Sequence, residues 1–388
     1  MSTIKFAVLG AVLFWAASAH AQPAPAAPPL PAGFHPPAPT PNDTLVSPIV
    51  AADGTVTVSL YAPQAHDVLV SGEWGDFGAP PTRLVRSDNG VWTTSIHAAP
   101  GTYRYTFNVD GAQAVDPRNT NTSRSQTTVR SLVTVPGKPW EDYAAVPHGA
   151  VEEVWYPSTT FSSPRRMHVY TPPGYGTGGR RYPVLYLLHG GGDSDDSWST
   201  VGRAGFILDN LIAAGKAVPM IVVMPAGHIP AADGTIASAS NAMSEDPAND
   251  RFTDDFLNNI VPYVEKSYRT TNTRAIAGLS MGGLQAANIG LVHADMFPSV
   301  LIYSSGWFPQ VATRFEQRWG TTLDADRTRL KLLWIGYGET DIARANAEAA
   351  KAMFDRHGLT YRTEMTPGGH VWANWRHYLT ETAPLLFK

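Results

Sequence analysis

Cysteine is absent from all 388 residues. Disulfides, thiolate catalysis and Cys-based zinc sites are therefore excluded, and any nucleophile is an oxygen or an amine. No lysine-rich or arginine-rich block occurs, and the net charge is only -4 with both signs interspersed. Such a balance leaves no electrostatic footprint for nucleic acid or for an anionic membrane surface. After the N-terminal apolar run, no stretch approaches the length a bilayer-spanning helix needs. No clustered ligand set for a metal ion stands out, and no cofactor is expected. What remains is a chain with 43% hydrophobic and 10% aromatic residues, enough for a substantial core and long enough for two domains.

Residues 1–21 read as a secretory signal: Lys5, the apolar run Phe6 to Ala17, then Ala19-His20-Ala21, with cleavage expected after Ala21. The mature protein is accordingly expected to be secreted or periplasmic. Residues 22–41 are dominated by proline and alanine, the composition of an extended spacer.

From 42 to 137 the character changes. Alternating runs (Thr55 to Tyr61, Asp67 to Ser71, Val91 to Ile96, Tyr103 to Val109) are separated by turn signals at Asp53-Gly54, Asn89-Gly90 and Asp110-Gly111. This pattern predicts an antiparallel, immunoglobulin-like β-sandwich. A shorter linker with Pro139 and Pro147 spans 138–149. Beyond it, from 150 to 388, eight strand-like segments alternate with helical ones, which predicts an α/β-hydrolase-type sheet. The strands are Val154–Tyr156, Arg166–Tyr170, Val184–His189, Met220–Pro225, Arg274–Ala277, Ser299–Tyr303, Leu330–Gly336 and Tyr361–Met365. The helices are Phe206–Ala213, Asp254–Tyr268 with Thr253 as its cap, Gly283–Val292, Ile342–Arg356 and Ala373–Leu379. The loop from Pro225 to Phe252 is expected to border the substrate.

Gly278-Leu279-Ser280-Met281-Gly282 sits between the fifth strand and a helix. A serine on so sharp a turn needs small neighbours, and at the start of a helix it faces free N–H groups and the positive end of the dipole. Ser280 is read as the nucleophile and Met281 N–H as one oxyanion donor. A serine hydroxyl needs a base and an orienting carboxylate, expected later in the chain. Asp341, on the loop after Leu330–Gly336, is chosen as the acid with Glu339 as the alternative, because spacing does not decide which turns inward. His370, on the Gly368-Gly369 loop, is the expected base. Gly191, flanked by Gly190 and Gly192, is the expected second donor. Trp198, Trp307 and Trp372 lie near these loops and could line an aromatic pocket or pack the core.

Two resemblances accompany this reading. Gly72-Glu73-Trp74-Gly75-Asp76-Phe77, Asn89-Gly90-Val91-Trp92, Pro100-Gly101-Thr102-Tyr103-Arg104-Tyr105 and Asp116-Pro117-Arg118-Asn119 resemble carbohydrate-binding module family 48. Some members of that family bind glycan and others serve as packing domains. Trp74 and Trp92 could stack on sugar rings, although Trp92 lies in an alternating strand, the pattern of a core residue.

The segment from about Glu152 to Phe387 resembles the esterase-D-like group that includes carbohydrate esterase family 1. The shared stretches are Val184 to Gly191, Gly278 to Gly283, Gly338 to Asp341 and Gly368 to Arg376. The resemblance implies Ser280, His370 and Asp341 as nucleophile, base and acid, with Gly191 and Met281 as oxyanion donors. It also implies a secreted feruloyl esterase acting on plant cell-wall xylan. The alternatives are an acetyl-xylan esterase, a catecholate-siderophore esterase, an acyl transferase, or a glycan-binding protein with an inactive hydrolase domain.

Overall fold

The computed structural model describes residues 38–230 and 250–388. The expected signal peptide, most of the Pro/Ala-rich spacer and the middle of the Pro225–Phe252 loop lie outside the described residues. Pro41–Lys388 forms one compact unit.

Its first part is a sandwich of two antiparallel sheets. One has strands in the order Ile49–Val50, Thr55–Tyr61, Val91–His97, Val85–Arg86. The other runs Thr82–Arg83, Val68–Gly72, Gly101–Val109, Val129–Val135, Thr122–Arg124, with Ala112–Ala114 also paired to Gly101–Val109. Alternation supplies the core, because every second side chain faces inward: Val56, Val58, Val68, Val70, Tyr105 and Phe107 are buried between the sheets. At the Asp110-Gly111 turn both residues have positive φ, 48° and 92°, the twist a two-residue hairpin requires.

The second part carries strands β1 (Ala150–Ser158), β2 (Ser163–Thr171), β3 (Tyr182–Leu188), β4 (Ile221–Pro225), β5 (Thr270–Leu279), β6 (Ser299–Tyr303), β7 (Leu332–Gly338) and β8 (Arg362–Thr366). They form one sheet in the order β1-β2-β4-β3-β5-β6-β7-β8. The contacts β1–β2 and β2–β4 are antiparallel and the remainder parallel, so this is an α/β-hydrolase sheet. β3 is buried along its whole length, and each of its aliphatic side chains contributes about 1.5–3 kcal/mol by leaving water. Apolar clusters cover both faces.

Three local expectations change. The helix after the long loop begins at Arg251, and its cap is Asp250, whose carboxylate accepts the Phe252 N–H at 3.0 Å. Thr253 instead donates its hydroxyl to Asp250, since a carboxylate is the stronger acceptor at a helix start. An unforeseen amphipathic helix, Pro309–Asp326, buries Val311, Phe315 and Leu323 between β6 and β7 in sequence. The 138–149 segment is no free tether: Asn210 Nδ2 donates to the carbonyls of Pro139, Trp140 and Asp142. Within the same segment, Glu141 is buried against Arg376 at 2.6 Å.

Candidate active site

Ser280 sits between β5 and the helix Met281–Gly290 with φ 50° and ψ -118°, a conformation costing about 1–3 kcal/mol that persists only where its surroundings enforce it. Those surroundings are visible. Ser280 N–H donates to Tyr303 O at 2.9 Å, and its carbonyl accepts the Ser305 hydroxyl at 2.6 Å and Leu284 N–H at 3.0 Å. A Cβ on Gly278 would lie 2.2 Å from Gly282 O, and one on Gly282 would lie 2.5 Å from His189 O. The elbow glycines are therefore set by backbone approach. Gly282→Ala is expected to cost about 1–3 kcal/mol through overpacking, whereas a Cβ at Gly192 meets nothing within 4 Å. Comparing thermal midpoints of Gly282→Ala and Gly192→Ala checks this, and equal midpoints would refute it.

Met281 opens the helix, so its N–H has no acceptor within it. Opposite, the loop after β3 presents three glycines. Gly190 N–H is taken by Asp193 Oδ2 at 3.2 Å. Gly191 N–H has no hydrogen-bond partner among the described residues, while its carbonyl accepts from His228 Nε2 at 2.8 Å. The position a Cβ would take on Gly190 is 3.5 Å from Ser280 Cβ, which places this loop directly against the elbow. His189 is buried and structural: its Nε2 accepts Gly227 N–H, so the proton sits on Nδ1 and is donated to Gly190 O. Burial also lowers His228, to about 4, with the neighbouring His189 adding to the shift. Both imidazoles are thus neutral props of the loop.

Asp341 Oδ1 accepts from His370 Nδ1 and from Ala343 N–H, both at 2.8 Å. Burial pushes the Asp341 carboxyl up. The hydrogen bond and charge of His370, the Ser304 hydroxyl and the Ala343 N–H pull it down and prevail, so it lies below the ordinary carboxylate value. Its stabilising contribution is present above about pH 4 and is lost only as pH falls through the lowered folded value. An ionised Asp341 keeps the His370 proton on Nδ1 and leaves Nε2 free to accept. Glu339 is exposed, and it holds Arg344 only through its backbone carbonyl.

No hydrogen bond joins Ser280 Oγ to His370 Nε2 among the described residues. Ser304, between the Tyr303 and Ser305 that hold Ser280, accepts from Trp375 Nε1 at 2.8 Å, and the Trp375 ring stands edge-on to His370 with centroids 5.0 Å apart. Catalytic hydrogen bonds of this kind often tighten only when substrate arrives.

The aromatic expectations are corrected. Trp198 and Trp307 are 0% exposed and Trp372 5%, so these side chains have almost no surface to offer a ligand. Trp198 Nε1 donates to Leu188 O and Trp307 Nε1 to Asn288 Oδ1; both are core residues whose polar ends are satisfied internally. Trp92 is likewise core, with Nε1 on Ala62 O, and is not placed to stack on sugar. Trp74 is half-buried against Gly72 and Tyr105.

Three residues at the site carried no sequence signal of their role. Phe77, 71% exposed on the sandwich, stands edge-on to His370 with centroids 6.1 Å apart. Arg104 and Asp193 meet at 2.6 Å beside the glycine loop. Nothing local marks such pairs, because the partners are far apart in sequence.

Residues 158–386 match the family model described as "Putative esterase". Residues 56–141 match the "Glycogen recognition site of AMP-activated protein kinase". An endo-1,4-beta-xylanase/feruloyl esterase of Xylanibacter ruminicola is 32% identical over 357 residues, covering 88% of this chain and 46% of that protein. The chain thus spans 46% of that relative's length, and only 28% of an esterase of Mycobacterium tuberculosis. A ferulic acid esterase structure superposes with TM-score 0.52 at 25% identity, covering 61% of this chain and 98% of that one. The enterobactin esterase of Shigella flexneri superposes with TM-score 0.59 over 86% of this chain and 93% of its own, at 20% identity, a likeness of fold. Among the described residues no helix is long and apolar enough to cross a membrane.

Proposed function

The chain belongs to the esterase family, and on that premise we propose that it is a serine carboxylic-ester hydrolase releasing feruloyl-type groups from plant cell-wall xylan. The observation that carries the chemistry is the buried Asp341–His370 pair, linked to the Ser280 elbow through Trp375, Ser304 and the adjoining Ser305, with Met281 N–H and Gly191 N–H unclaimed. In the proposed sequence Ser280 Oγ attacks the ester carbonyl carbon while its proton passes to His370 Nε2. The two N–H groups receive the charge that develops on the carbonyl oxygen, each worth about 3 kcal/mol in the transition state. Collapse breaks the bond to the sugar oxygen, which takes the proton from Nε2. Water then attacks the acyl carbon, gives a proton to Nε2, and the acid departs as Ser280 recovers its hydrogen.

Two observations support an aromatic acyl group. A relative that covers 88% of this chain is a xylanase/feruloyl esterase by name, and Phe77 presents an aromatic ring beside His370. Export to the outside of the cell, where xylan is met, follows the signal expected at residues 1–21. A second reading, hydrolysis of a catecholate-siderophore ester, is favoured by the enterobactin esterase likeness, which covers sandwich and hydrolase together.

The test compares kcat/KM on methyl ferulate, acetylated xylan and a catecholate-siderophore ester, for the wild type and Phe77→Ala. Methyl ferulate is expected to be the best substrate, and Phe77→Ala to lower its kcat/KM severalfold while sparing the acetyl ester. A preference for the siderophore ester would overturn the cell-wall assignment, and a preference for acetylated xylan would move the enzyme to acetyl-xylan chemistry.

A further inference from the structure

The sandwich reaches into the hydrolase at the loop that faces Ser280. Arg104, on strand Gly101–Val109, has a side chain only 5% exposed, and its Nη2 donates to Asp193 Oδ1 at 2.6 Å. The other oxygen of Asp193 accepts Gly190 N–H at 3.2 Å, and Asp193 N–H returns to Gly190 O at 3.1 Å. One carboxylate therefore joins the sandwich guanidinium to the first glycine of the loop. The guanidinium is itself fixed: Nε donates to both oxygens of Glu73 at 3.0 and 3.1 Å, and Nη1 reaches Arg124 O at 3.4 Å. A second strap comes from Gln126, whose N–H donates to Gly192 O at 3.1 Å. Gly190 and Gly192, on either side of the expected donor Gly191, are both held from the sandwich.

Three glycines in a row have a broad choice of backbone conformation, so something outside the loop must select the one that aims Gly191 N–H at the substrate. A planar guanidinium with fixed donors does this better than a flexible ammonium, and burial of the pair removes competing water.

We propose that Arg104 is a positioning residue for ester hydrolysis: through Asp193 it sets the Gly190–Gly191 backbone so that Gly191 N–H meets the developing oxyanion, making the β-sandwich part of the catalytic unit. The inference rests on the assignment of Gly191 as oxyanion donor given above. It also gives the Glu73 and Arg104 motifs of the sandwich a role that requires no glycan.

The test uses full-length Arg104→Met, Arg104→Lys and Asp193→Asn on methyl ferulate, with active sites counted by burst titration so that rates refer to folded enzyme. For Arg104→Met, kcat per titrated site should fall about 10- to 100-fold with KM within about twofold. Inhibition by an aryl boronic acid, which forms a tetrahedral adduct at serine, should weaken by a similar factor, while competitive binding of free ferulate stays unchanged. Arg104→Lys should recover only part of the loss. In the double variant Arg104→Met/Asp193→Asn, Asp193→Asn should add little to the loss in kcat, since both changes cut one link.

A purely structural role would lower the thermal midpoint but leave kcat per titrated site and boronate affinity at wild-type values, and that result overturns the proposal. If Arg104→Met does not fold, Asp193→Asn and Arg104→Lys are measured in the same way: a loss of kcat per titrated site with weaker boronate inhibition supports the proposal, and wild-type values of both overturn it. Failure of the esterase reading is distinct: it would appear as turnover of the wild type that does not depend on Ser280.

Discussion

Ser280→Ala is expected to lower kcat on methyl ferulate by about 10⁴- to 10⁶-fold and to change stability by less than about 1 kcal/mol. The first figure follows from the loss of the hydroxyl proposed to form the acyl-enzyme. What remains is the stabilisation offered by the Met281 and Gly191 N–H groups and by substrate binding, which water can exploit slowly. The second figure follows from geometry. The contacts that hold the elbow are made by backbone atoms of residue 280, its N–H to Tyr303 O and its carbonyl from the Ser305 hydroxyl, and alanine keeps both. Alanine also suffers the positive φ no more than serine does. The pair of measurements is single-turnover and steady-state kcat together with a thermal scan. Turnover above a tenth of wild type in a folded variant would exclude Ser280 as nucleophile.

The second large effect separates the two carboxylates after β7. Asp341→Asn is expected to reduce kcat by about 10³- to 10⁴-fold, and Glu339→Gln to leave it within about threefold. In the proposed transition state His370 gains a proton and a positive charge, which the buried carboxylate at 2.8 Å would stabilise. A neutral amide can still accept from Nδ1 but cannot balance an imidazolium in a buried setting. KM should move little, because in the proposed sequence the charge that Asp341 balances develops only in the chemical step. The exposed side chain of Glu339 has no comparable task. Equal losses from the two substitutions, or a larger loss from Glu339→Gln, would reassign the acid.

The chain's local chemistry determined a good deal by itself. Period-two alternation and Asp-Gly or Asn-Gly turns specify the sandwich strands, because the side-chain repeat of a strand is two whatever it packs against. Small residues around Ser280 specify a sharp strand-to-helix turn, since only glycine tolerates the 2.2–2.5 Å approaches that the turn imposes. The order of serine, acid and histidine is likewise readable from the run of strands and loops.

Tertiary structure decided the rest. Asp341 differs from Glu339 in the direction each loop residue faces, and a stretch of Gly-Glu-Thr-Asp does not encode direction on its own. Tryptophans near the motif loops suit either a pocket or a core; burial of Trp198, Trp307 and Trp372 followed from where the flanking helices pack. Arg104 and Asp193 lie 89 residues apart, so no local signal links them. Only the docking of the sandwich against the hydrolase sheet brings them together, and it does so because a buried cation and a buried carboxylate are each costly alone and tolerable as a hydrogen-bonded pair.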